Sequence, residues 1–532
     1  MADAEVIVVG GGHNGLIAAT YLARAGVDTL VVEGRSEVGG ISSTVSDLGA
    51  RFNICNCDHA LIRTTGIVEE LELEEHGLHY LESEVGNVHG YHDDSDPWLF
   101  FPEQDRTLES LAHRFPRQID AYRRYLEDSL PVARLALEMA RTPSRTLRML
   151  SRAAGRRGRG AARLLDWSRR SAAEVLAGYF DDWHLITPAL SLGPTMWGVP
   201  GNMPGTGLAA TGYATRHLVK SGRPRGGSGA LTDALRTALE KAGGRVRCGS
   251  TVDHLELDGG EVRGVVLAHG ERLEAPRVLA ACDPRAVMVD WIGESGGRAR
   301  RRSEDWRGRP VIDGYQAKVD AVLAGTPRAV ATDRLGDPAA DLDLLGPTTV
   351  ISPSPEQLAA NHEQKEAGRV SEHPTMLINM PSALDSDLRP GPGQQTLSLE
   401  VLFTPYSLPG GWAGSREPER WLRLWDRVVA PGGLDLVSDW RAMTPDRYER
   451  EFAMHRGHTP AYAAPPLASL LGRNREVSRH RAPVRGLYLS GAGTYPGAGI
   501  FGAAGRNAAA AVIRDRHQGA LYGRGRWSSR SA

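Results

Sequence analysis

The residues with the clearest chemistry form a glycine cluster near the start of the chain. The sequence from Gly10 to Gly15 reads G-G-G-H-N-G, so its glycines have the spacing G-x-G-x-x-G. The run Val6–Val9 before it is wholly apolar, as in a parallel strand buried on both faces, and helical spacing follows. In such a loop Gly10 makes the tight turn and Gly12 lets the backbone approach a pyrophosphate, while Gly15 lets helix and strand pack closely. The helix N-terminus offers N–H groups to the phosphates, so this stretch predicts a dinucleotide site.

An acidic residue completes the pattern and the residues after it favour one cofactor. A second apolar run, Thr29–Val32, ends on Glu33, which is placed to accept hydrogen bonds from a ribose diol. A glycine-rich turn in an unrelated α/β protein is the alternative, and the complete order of strand, loop, helix, strand and acid argues against it. Arg35 and the pair Gly39-Gly40 extend the pattern to E-x-R-x-x-x-G-G, which resembles the extended signature of FAD enzymes. We therefore expect FAD rather than NAD alone.

Composition sets limits on the remaining classes. A chain of 532 residues is too long for one core, so two or three domains are expected. The net charge of −1 gives no argument for a nucleic-acid partner. No apolar run is long enough to span a membrane, residues 1–5 carry no signal-peptide pattern, and four cysteines are too few for a disulfide framework. These features predict a cytoplasmic protein.

A metal site is not expected. Cys55 and Cys57 are separated by one residue and lack the two further ligands that a zinc site needs, so we interpret them as small buried thiols. His59, close by, is a weak candidate for the substrate site.

The most biased segment is rich in arginine. Residues 141–170 contain ten arginines and a single acid, Asp166, inside a region that is helical in pattern from Leu108 to about Gly178. A stripe with three- and four-residue steps consists of Arg145, Arg148, Arg152, Arg156, Arg159 and Arg163. A helix lying on an anionic membrane surface is one interpretation. A solvated face or connector is the other, and it is favoured by the glycines at 155, 158 and 160.

Later motifs add structure but no second dinucleotide site. The turn Gly226-Gly227-Ser228-Gly229 opens a helix predicted over Leu231–Lys241, yet it lacks a preceding strand and the third glycine. Without a visible NAD(P)H domain, an NADPH-driven hydroxylase is less favoured. Residues 311–322 suit a strand, and the glycine-rich sequence at 486–502 reads GLYLSGAGTYPGAGIFG ahead of an alanine-rich helix.

These motifs together resemble one family. The loop GGGHNGL, the E-x-R-x-x-x-GG signature, GGSGALTDAL, VLAACDP and the sequence at 486–502 are similar to those of phytoene-desaturase-like flavoproteins of the amine-oxidase superfamily, and most similar to its bacterial NAD(P)/FAD-dependent oxidoreductase branch. The resemblance implies an α/β fold with a Rossmann-like FAD-binding domain of the glutathione-reductase type, built from residues 1–77, 225–305 and 473–517. It further implies an α+β substrate domain with a mixed sheet over 78–224 and 306–472, in which 106–224 is a largely helical insertion. Residues 518–532 are predicted to be a disordered tail.

The resemblance also implies the site residues. Non-covalent FAD is expected, because no cysteine lies near the C-terminal motif. The expected contacts to FAD are Gly10, Gly12, His13, Asn14, Gly15, Glu33, Gly34, Arg35, Gly39, Gly40, Ile41, Val252, Gly491, Gly493, Gly499, Ile500 and Phe501. In amine oxidases of the superfamily a lysine holds a water against flavin N5, and Lys318 occupies a similar place; a structural lysine is the alternative. Tyr495, where the desaturases commonly have histidine, and Phe501 are the other catalytic candidates.

The predicted function is FAD-dependent oxidation of a substrate C–H bond, with C–C desaturation of a hydrophobic or biosynthetic intermediate as the leading reaction. One alternative is an amine oxidase that releases hydrogen peroxide, and another is a flavin-containing scaffold or membrane-associated binding protein without turnover. The expected electron acceptor is O2 or a quinone. A peripheral contact with the inner face of the membrane, through the helices of Arg145–Arg163, is the remaining expectation about partners.

Overall fold

The structure is a computed structural model that describes residues 2–55, 57–141, 158–219, 221–293, 296–311, 313–336, 339–458 and 475–525. In chain order the strands are β1 (Val6–Val9), β2 (Thr29–Val32), β3 (Thr44–Asp47), β4 (Ala50–Asn53), β5 (Tyr80–Leu81), β6 (Asn87–Tyr91), β7 (Trp98–Phe100), β8 (Arg223–Pro224), β9 (Arg245–Arg247), β10 (Val252–Asp258), β11 (Glu261–Leu267), β12 (Arg272–Glu274), β13 (Val278–Ala280), β14 (Tyr315–Leu323), β15 (Thr348–Ser352), β16 (Met376–Asn379), β17 (Gln395–Thr404), β18 (Val437–Met443) and β19 (Leu487–Leu489).

The α-helices lie between these strands, with a run of helices between β7 and β8. They are His13–Arg24, Ile67–Glu70, Gln104–Arg114, Ile119–Arg141, Gly158–Trp167, Ala172–Ala177, Trp183–Ser191, Gly212–Leu218, Gly229–Lys241, Gly297–Arg307, Val330–Leu335, Pro355–Glu366, Pro381–Leu384, Glu417–Val428, Pro445–Phe452, Arg475–Arg479 and Ala503–Gly525. None of the helices in the described ranges is long and apolar enough to cross a membrane.

A five-stranded parallel sheet carries the glycine-rich loop. Its order is β19-β13-β1-β2-β9, and its strands come from three separate stretches of the chain, within 1–77, 225–305 and 473–517. The central strand β1 is wholly buried, because helices cover both faces of such a sheet. The strands β10, β11 and β12 form a small antiparallel sheet.

A seven-stranded mixed sheet forms the second layer. Its order is β18-β14-β17-β16-β15-β6-β7, and its strands come from 78–224 and 306–472. One face packs on the helix Glu417–Val428 through a core that includes Trp421 and Trp425. The prediction of an α/β protein with a discontinuous dinucleotide-binding domain and a second domain with a mixed sheet is confirmed.

Two predictions concern segments at the limits of the structure. The helix Ala503–Gly525 continues beyond residue 518, so residues 518–525 are helical where the sequence predicts a disordered tail. The remaining tail, 526–532, lies outside the described residues, and so do 142–157, which carry Arg145, Arg148, Arg152 and Arg156. Arg163, at the end of that stripe, forms an ion pair with Asp128 at 2.7 Å.

Candidate functional site

The first glycine-rich loop is shaped to leave room beside its backbone. Gly10 has a φ of +103°, and a Cβ on Gly15 would lie 2.0 Å from the carbonyl oxygen of Gly10. Both positions therefore require glycine. A Cβ on Gly12, in contrast, would meet nothing nearer than the Gly39 carbonyl oxygen at 4.0 Å. The open space at Gly12 lies at the N-terminus of the helix His13–Arg24, where a phosphate group is favoured.

Glu33 directly follows β2, and its carboxylate is buried beside that loop. Its oxygens accept hydrogen bonds from the backbone N–H groups of Gly11, at 2.6 Å, and Arg35, at 2.9 Å. A carboxylate has about four lone-pair sites, so two further hydrogen bonds from a ribose diol fit the same group. The chain segment of Ser250 and Val252 runs alongside, because the Ser250 N–H donates to the Glu33 carbonyl at 2.8 Å. A Cβ on Gly34 would contact Thr251 at 2.9 Å.

The second glycine pair returns to the first loop. Gly39, with a φ of +127°, donates its N–H to the Gly11 carbonyl at 2.9 Å and bridges to Gly12. A Cβ on Gly40 would lie 3.4 Å from the Cα of Gly12. Arg35 holds this turn by donating to the Gly40 carbonyl at 3.3 Å. The two glycine segments thus form one cradle, which we name the glycine cradle (10–15 and 39–40).

His13 and Asn14 begin the first helix at the edge of the glycine cradle. Burial lowers the pKa of His13 to about 4, and its Nε2 lies 3.0 Å from Asn14 Nδ2. His13 is therefore neutral, and the positive potential at the site comes from the helix N-terminus and the Arg35 guanidinium. The Asn14 side-chain oxygen accepts the N–H of Gly505 at 3.3 Å, which connects the first helix to the last.

The C-terminal motif folds over the first helix. The left-handed φ values of Gly491 (+93°) and Gly499 (+100°) let the chain turn between β19 and the helix Ala503–Gly525. Ile500 accepts the Ile62 N–H at 3.0 Å through its carbonyl, and Ile41 packs near Ile54 and Met443. Direct contacts between the residues on these turns and FAD stay predictions.

Tyr495 and Phe501 are both buried but do not share a cluster. The Tyr495 N–H donates to the Val477 carbonyl at 3.0 Å, whereas Phe501 packs against Ala140 and Ala503. Their catalytic roles stay predictions.

His59 is satisfied by its neighbours. Its ring nitrogens lie 3.2 Å from the Tyr80 hydroxyl and 3.1 Å from the Ser228 hydroxyl. Burial lowers its pKa to about 3, so the ring is neutral. This geometry favours a structural role for His59.

Lys318 is fully buried in a charged network. Its ammonium group forms an ion pair with Asp320 at 2.7 Å and donates to the Asn53 carbonyl. Asp320 also pairs with Arg441 at 3.0 Å, and Arg441 pairs with Asp47 at 3.2 Å. One ammonium hydrogen is therefore held by the Asn53 carbonyl, while Asp320 Oδ1 forms an ion pair without a hydrogen bond, and a role for Lys318 beside flavin N5 stays a prediction.

Glu400 is the residue that sequence reasoning missed. It lies directly opposite Lys318 in the pairing of β14 with β17, so the two side chains share one face of the sheet. Burial raises the pKa of its carboxyl to about 7, although the nearby charge of Lys318 acts to lower it. Among the described residues its carboxyl has no hydrogen bond or ion pair, because the Lys318 ammonium forms its ion pair with Asp320. Only the strand register could have identified this residue, because nothing in the local sequence links it to Lys318.

Comparisons with known proteins identify the family of the chain. Residues 15–513 match the family of flavin-containing amine oxidoreductases. The chain is 28% identical to pyridine nucleotide-disulfide oxidoreductase domain-containing protein 2 of Rattus norvegicus, over 96% of this chain and 93% of that protein. It is 26% identical to the lycopene-forming phytoene desaturase of Pantoea ananas, over 95% and 98% of the two chains.

Solved structures share the fold. Cyclohexylamine oxidase from Brevibacterium oxydans superimposes with a TM-score of 0.59 at 16% identity, covering 97% of this chain and 100% of the other. The open backbone of the glycine cradle and the free lone pairs of Glu33 fit the pyrophosphate and the ribose of FAD. This chain belongs to the family of flavin-containing amine oxidoreductases and is an FAD-dependent oxidoreductase.

Proposed function

We propose that this protein desaturates a carbon–carbon bond of a hydrophobic substrate. FAD held by the glycine cradle and Glu33 supplies the hydride acceptor for such a reaction. The observation that carries the proposal is Glu400, a buried carboxyl whose pKa is raised to about 7, on the sheet face that also bears Lys318.

The need for a base distinguishes desaturation from amine oxidation. When a hydride leaves one carbon of an alkane or alkene, a proton must leave the neighbouring carbon to complete the double bond. An amine needs no such base, because the nitrogen lone pair stabilises the cation that hydride loss creates. A carboxyl with a pKa near the working pH is well suited to accept that proton.

The surroundings of Glu400 support this role. The residues opposite it and beside it on the same face are Lys318 and the apolar Leu377, and Val350 follows on the next strand. A hydrocarbon chain lying on Leu377 and Val350 would contact apolar surface while its reacting carbons reach the carboxyl. A hydrocarbon chain bound along this row would exclude water from the reaction.

The test is an anaerobic titration of the FAD-loaded protein. The probes are phytoene, isoprenoid alkenes that end in a carboxylate, and a panel of primary amines. We expect a polyene to bleach the flavin and to gain one double bond. Bleaching by amines alone, with hydrogen peroxide released in air, would instead assign the oxidase function, and no bleaching by any probe would favour a non-catalytic scaffold.

The Glu400→Gln variant tests the proton acceptor. It should slow flavin bleaching by the active polyene at least 100-fold, the lower range of general-base catalysis, and remove any rate change near pH 7. Glu363→Gln, an exposed glutamate on the helix Pro355–Glu366, is the matched control and should react like the wild type. Equal rates for Glu400→Gln and the wild type would contradict this assignment.

A further inference from the structure

His89 is a completely buried histidine without hydrogen-bond partners. It lies on β6, where its ring stacks on Trp98 at 4.3 Å and meets the edge of Tyr213 at 6.0 Å. Neither of its ring nitrogens has a hydrogen bond within the described part of the chain. Burial lowers the pKa of His89 to about 3, so the ring is neutral and carries one donor and one acceptor. Buried polar groups in proteins are normally satisfied, so this ring indicates a missing partner.

Arg216 is a cation beside that ring. It follows Tyr213 by three residues on the helix Gly212–Leu218, and residues with this spacing lie on the same side of a helix. Because the Tyr213 ring contacts His89, this spacing places Arg216 on the helix side that faces His89, and its positive charge acts to lower the pKa of that ring. Arg216 is partly buried, and its guanidinium forms no hydrogen bond or ion pair with any described residue.

Asp58 is the carboxylate whose charge acts most on the pKa of Arg216, and it is already paired with other residues. Asp58 accepts hydrogen bonds from Arg223 at 2.7 Å and from the Thr348 hydroxyl at 2.6 Å. Burial lowers the pKa of Arg216, while the nearby charge of Asp58 acts to raise it. A cation taken out of water is costly unless an anion accompanies it.

We propose that Arg216 and His89 form a subsite that binds the carboxylate or phosphate end of the substrate. This proposal rests on the proposed function, because it assigns the other end of that substrate to Glu400. The guanidinium would donate two hydrogen bonds to the oxyanion, and the protonated nitrogen of His89 would donate a third.

The sheet relates the subsite to Glu400. Successive strand pairs place His89, Val350, Leu377 and Glu400 in one row across the sheet, on a common face. Three strand spacings separate His89 from Glu400, which is about 14 Å at about 4.8 Å each. The two groups between them are apolar. The substrate class is therefore an amphipathic acid, whose oxyanion lies about 14 Å from the carbons that react.

The test measures binding to the FAD-loaded protein without turnover. Isothermal calorimetry with decanoate, decyl phosphate and 1-decanol compares chains of equal length with and without an anionic end. We expect at least one charged probe to bind at least tenfold more tightly than 1-decanol. Equal affinities for all three probes, or no binding of either charged probe, would overturn the proposal.

Variants assign the preference to Arg216. Arg216→Gln should reduce it to less than twofold, while Arg216→Lys, which keeps the charge, should retain part of it. Arg301→Gln, at an exposed arginine of the helix Gly297–Arg307, is the control and should keep the full preference. A full preference in a folded Arg216→Gln protein would overturn the proposal. Should that variant not fold, competition decides: inorganic phosphate must weaken the binding of the charged probe but not of 1-decanol, and equal effects on both would overturn it.

Two further results distinguish a cofactor anion from a substrate anion, and the subsite from the proposed desaturase function. A preference found only in FAD-free protein would assign the subsite to the cofactor and overturn the substrate subsite. A protein that binds the charged probe through Arg216 but whose flavin no polyene bleaches would keep the subsite and reject the desaturase function.

Discussion

At the scale of single residues, Glu33 has the most direct link between position and function. Its carboxylate is held by two backbone N–H groups and keeps the lone pairs that a ribose diol requires. We expect Glu33→Ala to raise the dissociation constant of FAD about 10- to 100-fold, because a hydrogen bond to a charged group contributes about 1.5–3 kcal/mol. Titration of FAD-free protein, followed by flavin fluorescence, measures this. Glu37→Ala, at an exposed carboxylate four residues later, is the control, and an equal effect of both variants would contradict the role of Glu33.

Glu400 gives a prediction about pH. Its pKa is raised from 4.5 to about 7 in the folded protein, so ionising it opposes folding. The stability of the wild type should therefore fall, relative to Glu400→Gln, as the pH rises from 4.5 through about 7. The full difference is about 3 kcal/mol and should be complete above that range. Denaturant unfolding between pH 5 and pH 9 checks it, and a difference that is constant with pH would contradict the buried, uncompensated carboxyl.

The sequence predicts local residues well and distant partners poorly. Gly12, Glu33 and Gly39 are identified by spacing, because the loop, the strand end and the second turn follow one another within a short stretch. Glu400 and Arg216 are not identified in this way, because their roles depend on which strands pair and on which side of a helix faces the sheet. Lys318 is an intermediate case, since the sequence predicts its strand but not its ion pair with Asp320.

At the scale of elements, the packing of the last helix on the first depends on the missing side chain at Gly505. A Cβ on Gly505 would lie 2.3 Å from the Asn14 carbonyl oxygen and 3.1 Å from the Cβ of Ile17. Gly505→Ala should therefore separate the two helices and cost about 1–3 kcal/mol of unfolding free energy, as overpacking does elsewhere. Gly296→Ala is the control, because a Cβ there meets nothing within 4 Å. Thermal unfolding of both variants measures the difference, and equal melting temperatures would contradict the contact.

The ends of the elements explain where sequence patterns are less exact. The strand predicted over 311–322 is observed as Tyr315–Leu323, because Gly314 turns the chain with a φ of +62°. The helix predicted over Leu231–Lys241 begins at Gly229, directly after Ser228. Apolar periodicity identifies the interior of an element, whereas caps and neighbouring strands determine its ends.

At the scale of the whole molecule, a chain of ion pairs, most of them buried, connects separate sheets. The chain of ion pairs from Asp47 through Arg441 and Asp320 to Lys318 joins the β3–β4 hairpin to the seven-stranded sheet. Asp320→Asn leaves two buried cations without a full partner, so we expect a loss of about 3–5 kcal/mol in unfolding free energy. Asp435→Asn, at an exposed aspartate, should change it little. A loss below about 1 kcal/mol for Asp320→Asn would contradict the importance of this network.

The discontinuous assembly was predictable only through the family resemblance. The strands β1, β13 and β19 are short apolar runs, but nothing in their sequences states that they lie side by side in the order β19-β13-β1. The mixed sheet was predicted as a class, while its register, which places Lys318 opposite Glu400, was not.

The most direct test of the central claim is the anaerobic reaction of the FAD-loaded protein with its polyene probes, followed by the visible absorbance of the flavin and by mass spectrometry of the organic product. The claim predicts that the flavin bleaches and that the product has lost one pair of hydrogens and gained a double bond. Bleaching by amines alone, with an aldehyde or ketone as the product, would contradict it.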